Sequence, residues 1–119
     1  EKKKFEFRLN VLVMQRGPFW IAQGVELDYE AQGRTWSDVR YAFERGLVAT
    51  AQAHARRFGN LEHFFTPASE SIQQEFRRVR RDAMKKRALR RKQPMQAQTC
   101  LPFDGAARNA NIHFMVAAA

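Results

Sequence analysis

Phe5-Glu6-Phe7-Arg8-Leu9-Asn10-Val11-Leu12-Val13-Met14, residues 5–14, alternates with a period of two. Phe5, Phe7, Leu9, Val11 and Val13 fall on one side, and Glu6, Arg8 and Asn10 on the other, which predicts a β-strand with one apolar face. Gln15-Arg16-Gly17-Pro18 is turn material. A second short strand is expected over Phe19 to Gln23, with Gly24 as a bulge or a close backbone approach. A third is expected over about Val25 to Gln32, placing Val25, Leu27, Tyr29 and Ala31 on one face and Glu26, Asp28 and Glu30 on the other. Connections this short imply an antiparallel meander.

One face of such a sheet needs a cover, and the next residues supply it. Thr35-Trp36-Ser37-Asp38 reads as a capping box, with Thr35 as N-cap and Asp38 at the third helical position. The helix runs to about Phe58, and Gly59 is placed to end it in a left-handed conformation. Val39, Phe43, Leu47 and Ala51 recur at four-residue steps and form the buried stripe. Gly46 inside this helix costs up to about 1 kcal/mol relative to alanine, which close packing on the sheet explains most simply and crowding at a dimer contact less simply.

Trp20-Ile21-Ala22-Gln23-Gly24-Val25-Glu26-Leu27-Asp28, then Ala31-Gln32-Gly33-Arg34-Thr35 and an amphipathic helix, resembles the core of HicB-like proteins. These are the antitoxin halves of HicA/HicB toxin–antitoxin pairs, together with unpaired relatives in bacterial and phage genomes. The resemblance covers residues 5–58 and rests on order and spacing together. The Glu-Ala pair common after the threonine is replaced here by Asp38-Val39. It implies a β-β-β-α core that binds a protein partner such as a HicA-type toxin, forms homo-oligomers, and works in the cytoplasm of a bacterial or phage-infected cell. HicB antitoxins often carry a ribbon-helix-helix or helix-turn-helix after the core. Neither is legible here, which puts operon autoregulation in doubt.

In the second half, Leu61, Phe64 and Phe65 are expected to tuck against the core. Thr66-Pro67 reads as a helix start, and a helix over about 67–92 carries Ile72, Phe76, Val79 and Ala83 as one apolar stripe. Leu89 is off that line, so the helix should dock by its first half, with Pro94 ending it. Met95 to Asn109 reads as a long loop. Asn111 to Ala117 reads as a strand, in which Ile112, Phe114 and Val116 alternate with His113 and Met115, and it would add a fourth strand to the meander, in this chain or in a partner chain. The expected fold class is therefore α+β: an antiparallel three- to four-stranded sheet packed by one helix, a long basic second helix and a C-terminal strand. Residues 1–59 form the core and residues 60–119 pack onto it as one domain.

The net charge of +9 over 119 residues is uneven. Arg77, Arg78, Arg80, Arg81, Lys85, Lys86, Arg87, Arg90, Arg91 and Lys92 stand against a single acid, Asp82, between residues 76 and 92, while acids and bases balance elsewhere. Solvated helices usually mix charge signs to avoid self-repulsion. A helix this cationic points to DNA or RNA phosphates or to an acidic protein surface, with counterion release supplying affinity but no sequence specificity. Few aromatics interleave with the arginines, so base stacking is not indicated. Two readings of Glu26, Asp28 and Glu30 stay open: the solvated side of a half-buried sheet, or an acidic strip that docks a basic partner.

No apolar run approaches the ~18 residues of a membrane span, and no signal-peptide pattern is visible. A single cysteine, Cys100, cannot form an internal disulfide and fits a reducing compartment. His54, His63 and His113 lack partners at metal-ligand spacing, and no phosphate-cradling glycine loop or nucleophile motif occurs. No cofactor is implied, and the expectation is a binding protein, not an enzyme. It would be a HicB-like inhibitor or unpaired relative, a nucleic-acid-binding protein using residues 76–92, or a phage-encoded inhibitor of a host nucleoprotein complex.

Overall fold

The computed structural model describes residues 5–59, 64–90, 96–102 and 108–117. Seven elements follow in the order β1 (Phe5–Arg16), β2 (Phe19–Gly24), β3 (Glu30–Gly33), α1 (Trp36–Phe58), α2 (Glu70–Arg90), β4 (Gln96–Pro102) and β5 (Arg108–Val116). The strands form one five-stranded sheet in the order β3-β2-β1-β5-β4. β1, β2 and β3 are antiparallel neighbours, as the short connections require. The β1–β2 loop has Gly17 at φ +60° in the first central position, with Pro18 second.

The expected meander needs three corrections. The sheet is mixed and has five strands, because β5 runs parallel to β1 in the middle, not along an edge. The stretch read as a loop from Met95 to Asn109 contains β4, which pairs antiparallel with β5 from Gln96 opposite Met115 to Pro102 opposite Asn109. The third strand is only four residues long, and residues 25–29 form a loop. Gly24 N–H donates to Tyr29 O (2.8 Å) across that loop, and Val25 N–H to Asn10 O (2.9 Å). The loop turns back so tightly that a Cβ at Gly24 would collide with the Leu27 carbonyl. Val25 and Leu27, expected on one face, consequently enter opposite sides of the sheet.

Two cores result. On one face, α1 lays Val39, Phe43, Leu47 and Ala51 onto Leu9, Val11, Val13, Ala22, Ile112 and Phe114. Its cap is as the sequence predicts: Asp38 N–H donates to Thr35 Oγ1 (3.0 Å), and Gly59 closes the helix at φ +80°, its N–H on Ala55 O. Phe43 meets Phe114 and Tyr29 edge-on at ring-centre distances of 5.7 and 5.2 Å. Tyr29 is also the reason for Gly46, where a Cβ would strike the tyrosine hydroxyl. Phe64 and Phe65 join this core as expected, and Leu61 lies outside the described residues.

The second core lies on the other face, where Leu12 and Met115 are roofed by Phe76, Val79 and Ala83 of α2 together with Val25. The sheet is thus sandwiched between two helices. The tetrad Val11-Leu12-Val13-Met14 is apolar on both parities because its strand is covered on both sides.

Candidate nucleic-acid interface

The basic helix starts at Glu70, not at Thr66-Pro67. The residues around Pro67 are irregular and tie down the 25–28 loop: Asp28 N–H donates to Thr66 O (2.6 Å) and Ala68 N–H to Val25 O (2.9 Å). Proline is harmless between two residues that carry these bonds, since it lacks only its own N–H. Ser69 caps instead, its Oγ accepting from Ile72 N–H at a long 3.4 Å, with Gln73 N–H on Ser69 O (3.1 Å). Glu70 sits in the first turn, where the helix dipole favours an acid. Arg, Lys, Gln, Glu, Met, Leu and Ala then fill most positions, all good helix formers.

Phe76, Val79 and Ala83 are buried against the sheet, and Ile72 is half-buried. Arg77, Arg78, Arg80, Arg81 and Lys85 are exposed on the rest of the helix. Lys86, Arg87 and Arg90 lie on the last turns of α2, and Arg91 and Lys92 lie outside the described residues.

The exposed cations are not equivalent. Arg77 pairs with Glu70 at 3.1 Å. Arg78 is held from both sides, by Glu75 and by Asp82 at 3.2 Å. The hydrogen bond from Arg78 keeps the Glu75 carboxyl below its ordinary value, helped by the positive charges of Arg78 and Arg16. Arg80 stacks over the Phe76 ring, 5.3 Å from its centre. Arg81 and Lys85 have no acidic partner among the described residues. Arg77, Arg80 and Arg81 converge with Gln74 and Met84 on a groove of about 390 Å³. Gln74, Arg77, Arg81 and Met84 follow at steps of three, four and three, and Arg80 is three from Arg77 and four from Met84, so they share one helix face. Met84, 64 % exposed, is the apolar element on that face.

Glu26, Asp28 and Glu30 do not form a strip on one strand. Only Glu30 lies in β3, and it is exposed on the sheet edge. Glu26 turns toward β1, accepting from Asn10 N–H (2.7 Å) and Asn10 Nδ2 (2.8 Å). Asp28 accepts from Gln23 Nε2 (3.0 Å), the one polar side chain that is buried among the described residues. Glu26 and Asp28 thus brace the 25–29 loop.

Sequence reasoning missed the polar side chains that flank α2 on the second face. Arg8, Asn10, Asn111 and His113 stand in adjoining positions on β1 and β5 and share a cleft of about 350 Å³ with Arg80. The alternation of residues 5–14 put Arg8 and Asn10 on this face, but the parallel pairing that brings Asn111 and His113 beside them is non-local. Among the described residues, no three His, Cys, Asp or Glu side chains form a metal-binding group, and no helix is long and apolar enough to cross a membrane.

Comparison with protein-family models, with curated proteins and with solved structures found no match to this chain.

Proposed function

We propose that the protein is a non-enzymatic nucleic-acid-binding protein in which the solvent face of α2 grips the phosphate backbone. The carrying observation is the convergence of Arg77, Arg80 and Arg81 on one groove, on a helix whose opposite side is anchored to the sheet by Phe76, Val79 and Ala83. The helix backbone that carries the cations is anchored before a strand arrives, so binding need order only their side chains. Phosphates would be held by charge and by planar guanidinium forks, without base readout. The test is fluorescence anisotropy with mixed-sequence DNA and RNA at two salt concentrations. Binding should fall steeply with salt, and glutamate at Arg77, Arg80, Arg81 and Lys85 together should abolish it. Unchanged affinity in that variant would refute the proposal.

A second reading is a HicB-like inhibitor acting through protein contacts, in a homo-oligomer, in the cytoplasm. The order β1-β2-β3-α1 over residues 5–58 supports it. A HicA-type toxin gene beside this one, and co-purification of the two products, would favour this reading. Failure of the two proteins to associate would remove the antitoxin role.

A further inference from the structure

The second face of the sheet is divided in two. β1 and β5 run parallel in register, so that Leu12 stands beside Met115, Asn10 beside His113, and Arg8 beside Asn111. α2 covers the Leu12–Met115 end. At the other end, the two central strands carry four polar side chains in a block. These side chains form one wall of a cleft whose other wall includes Arg80 of α2.

The lining of the resulting cleft has a definite chemistry. Arg8 projects from the sheet and Arg80 from α2, both exposed, with Asn10, Asn111 and His113 half-buried between them. The remaining lining residue, Leu9, has its side chain in the opposite core. Among the described residues no carboxylate lines this cleft, whereas Glu26 lines the neighbouring one with Arg77 and Arg80. Asn10 separates the two clefts, with its amide tied to Glu26. Guanidinium groups converging from two elements, with amide and imidazole donors beside them, make a site for a compact anion rich in acceptor oxygens. The cleft volume of about 350 Å³ exceeds what an inorganic anion needs and falls within the range of small-molecule pockets.

We infer that this cleft binds the phosphate monoester of a nucleotide, whether a free mononucleotide or the terminal phosphate of a strand. The second case rests on the nucleic-acid reading of α2. A monoester carries close to two negative charges near neutral pH, matching the two arginines, while an internal phosphodiester carries one. Arg80 lines both this cleft and the α2 groove, so a strand end seated here would leave its following phosphates beside Arg77 and Arg81.

The experiment uses the full chain in two arms. In the first, nuclear magnetic resonance follows Asn111 and His113 during titration with a nucleoside 5′-monophosphate, the matching nucleoside, and inorganic phosphate. The monophosphate should give saturable shifts and the nucleoside none, and Arg8→Ala should weaken the monophosphate at least about tenfold. In the second arm, anisotropy compares short single strands with phosphorylated and hydroxyl ends. A preference of about tenfold for phosphorylated ends, lost in Arg8→Ala with hydroxyl-end affinity unchanged, assigns the site to strand termini. Monophosphate shifts without an end preference assign it to free mononucleotides. Absence of shifts, or shifts that Arg8→Ala leaves intact, overturns the inference. Failure of every strand to bind refutes the α2 reading alone, because the first arm does not depend on it. As a control, Arg81→Glu should weaken strands and leave the monophosphate titration unchanged, since Arg81 does not line this cleft.

Discussion

The hydroxyl of Tyr29 lies over Gly46 at the point where any other residue would place its Cβ. Helix propensity alone would make Gly46→Ala stabilising by about 1 kcal/mol. Contact with Tyr29 reverses the sign, because that ring is wedged edge-on against Phe43 and cannot retreat freely. Gly46→Ala should therefore cost about 1–2 kcal/mol net in urea unfolding, within the usual range for overpacking. Tyr29→Phe should recover part of that loss in the double variant. Additive losses would show that the two positions are independent.

Burial also pushes the Tyr29 phenol above its ordinary value, so its ionisation in alkali should come later than the ordinary phenol range. An ultraviolet titration of Tyr29→Phe should show the late-titrating phenol missing.

Glu26 should behave as a brace. Glu26→Ala removes the acceptor of both Asn10 N–H and Asn10 Nδ2, at a cost of about 1–3 kcal/mol for donors left unmatched in a part-buried site. Glu30→Ala, on an exposed edge, should stay within about 0.5 kcal/mol of the parent. Equal effects from the two substitutions would contradict the geometry.

The two arginine doublets should separate in binding assays. Arg78 is neutralised by Glu75 and Asp82, while Arg81 has no acidic partner among the described residues. If α2 binds phosphates, Arg81→Ala should reduce the slope of log affinity against log salt by about 0.7–0.9. Arg78→Ala should reduce it by less.

Glu75 supplies a pH dependence whose sign follows from its depressed pKa. A carboxyl held low by folding adds stability above its unfolded pKa, and this is lost as pH falls through the folded value. The loss therefore begins near the ordinary value of 4.5 and continues below it. The pair with Arg78 is solvent-exposed, so the effect is small. Acid unfolding of Glu75→Gln should start from a slightly lower stability at neutral pH and converge with the parent in acid.

The contrast between α1 and the rest of the fold explains what the chain discloses to a reader of its sequence. Thr35, Asp38, Gly59 and the stripe from Val39 to Ala51 act over a few residues, so each is legible locally. Gly24 and Gly46 announce close approaches without naming the atoms approached. β4 and β5 were beyond reach in their true places, because a parallel neighbour for β1 is set by tertiary packing. Pro67 does not open the helix, and the sequence does not disclose this, because a helix start and an irregular tie look alike in a Thr-Pro pair. The apolar run from Val11 to Met14 did hold the clue to a helix on each face. For the interface, the cationic face of α2 was legible as composition, but the pairing of Arg77 and Arg78 with acids was not, and the Arg8–His113 block requires the β1–β5 register.

The placement of β5 has a consequence for how the molecule comes into being. Phe5 pairs with Arg108, and the ladder runs on to Val13 with Val116. On a ribosome, β1, β2, β3 and α1 emerge long before the strand that completes their sheet. Throughout that interval one flank of β1 offers unpaired amides and carbonyls to any extended chain nearby. Closing so distant a contact is also slow. Synthesis of β5 therefore ends this flank's exposure to misassociation, and a product truncated before Arg108 would keep that flank open for its lifetime.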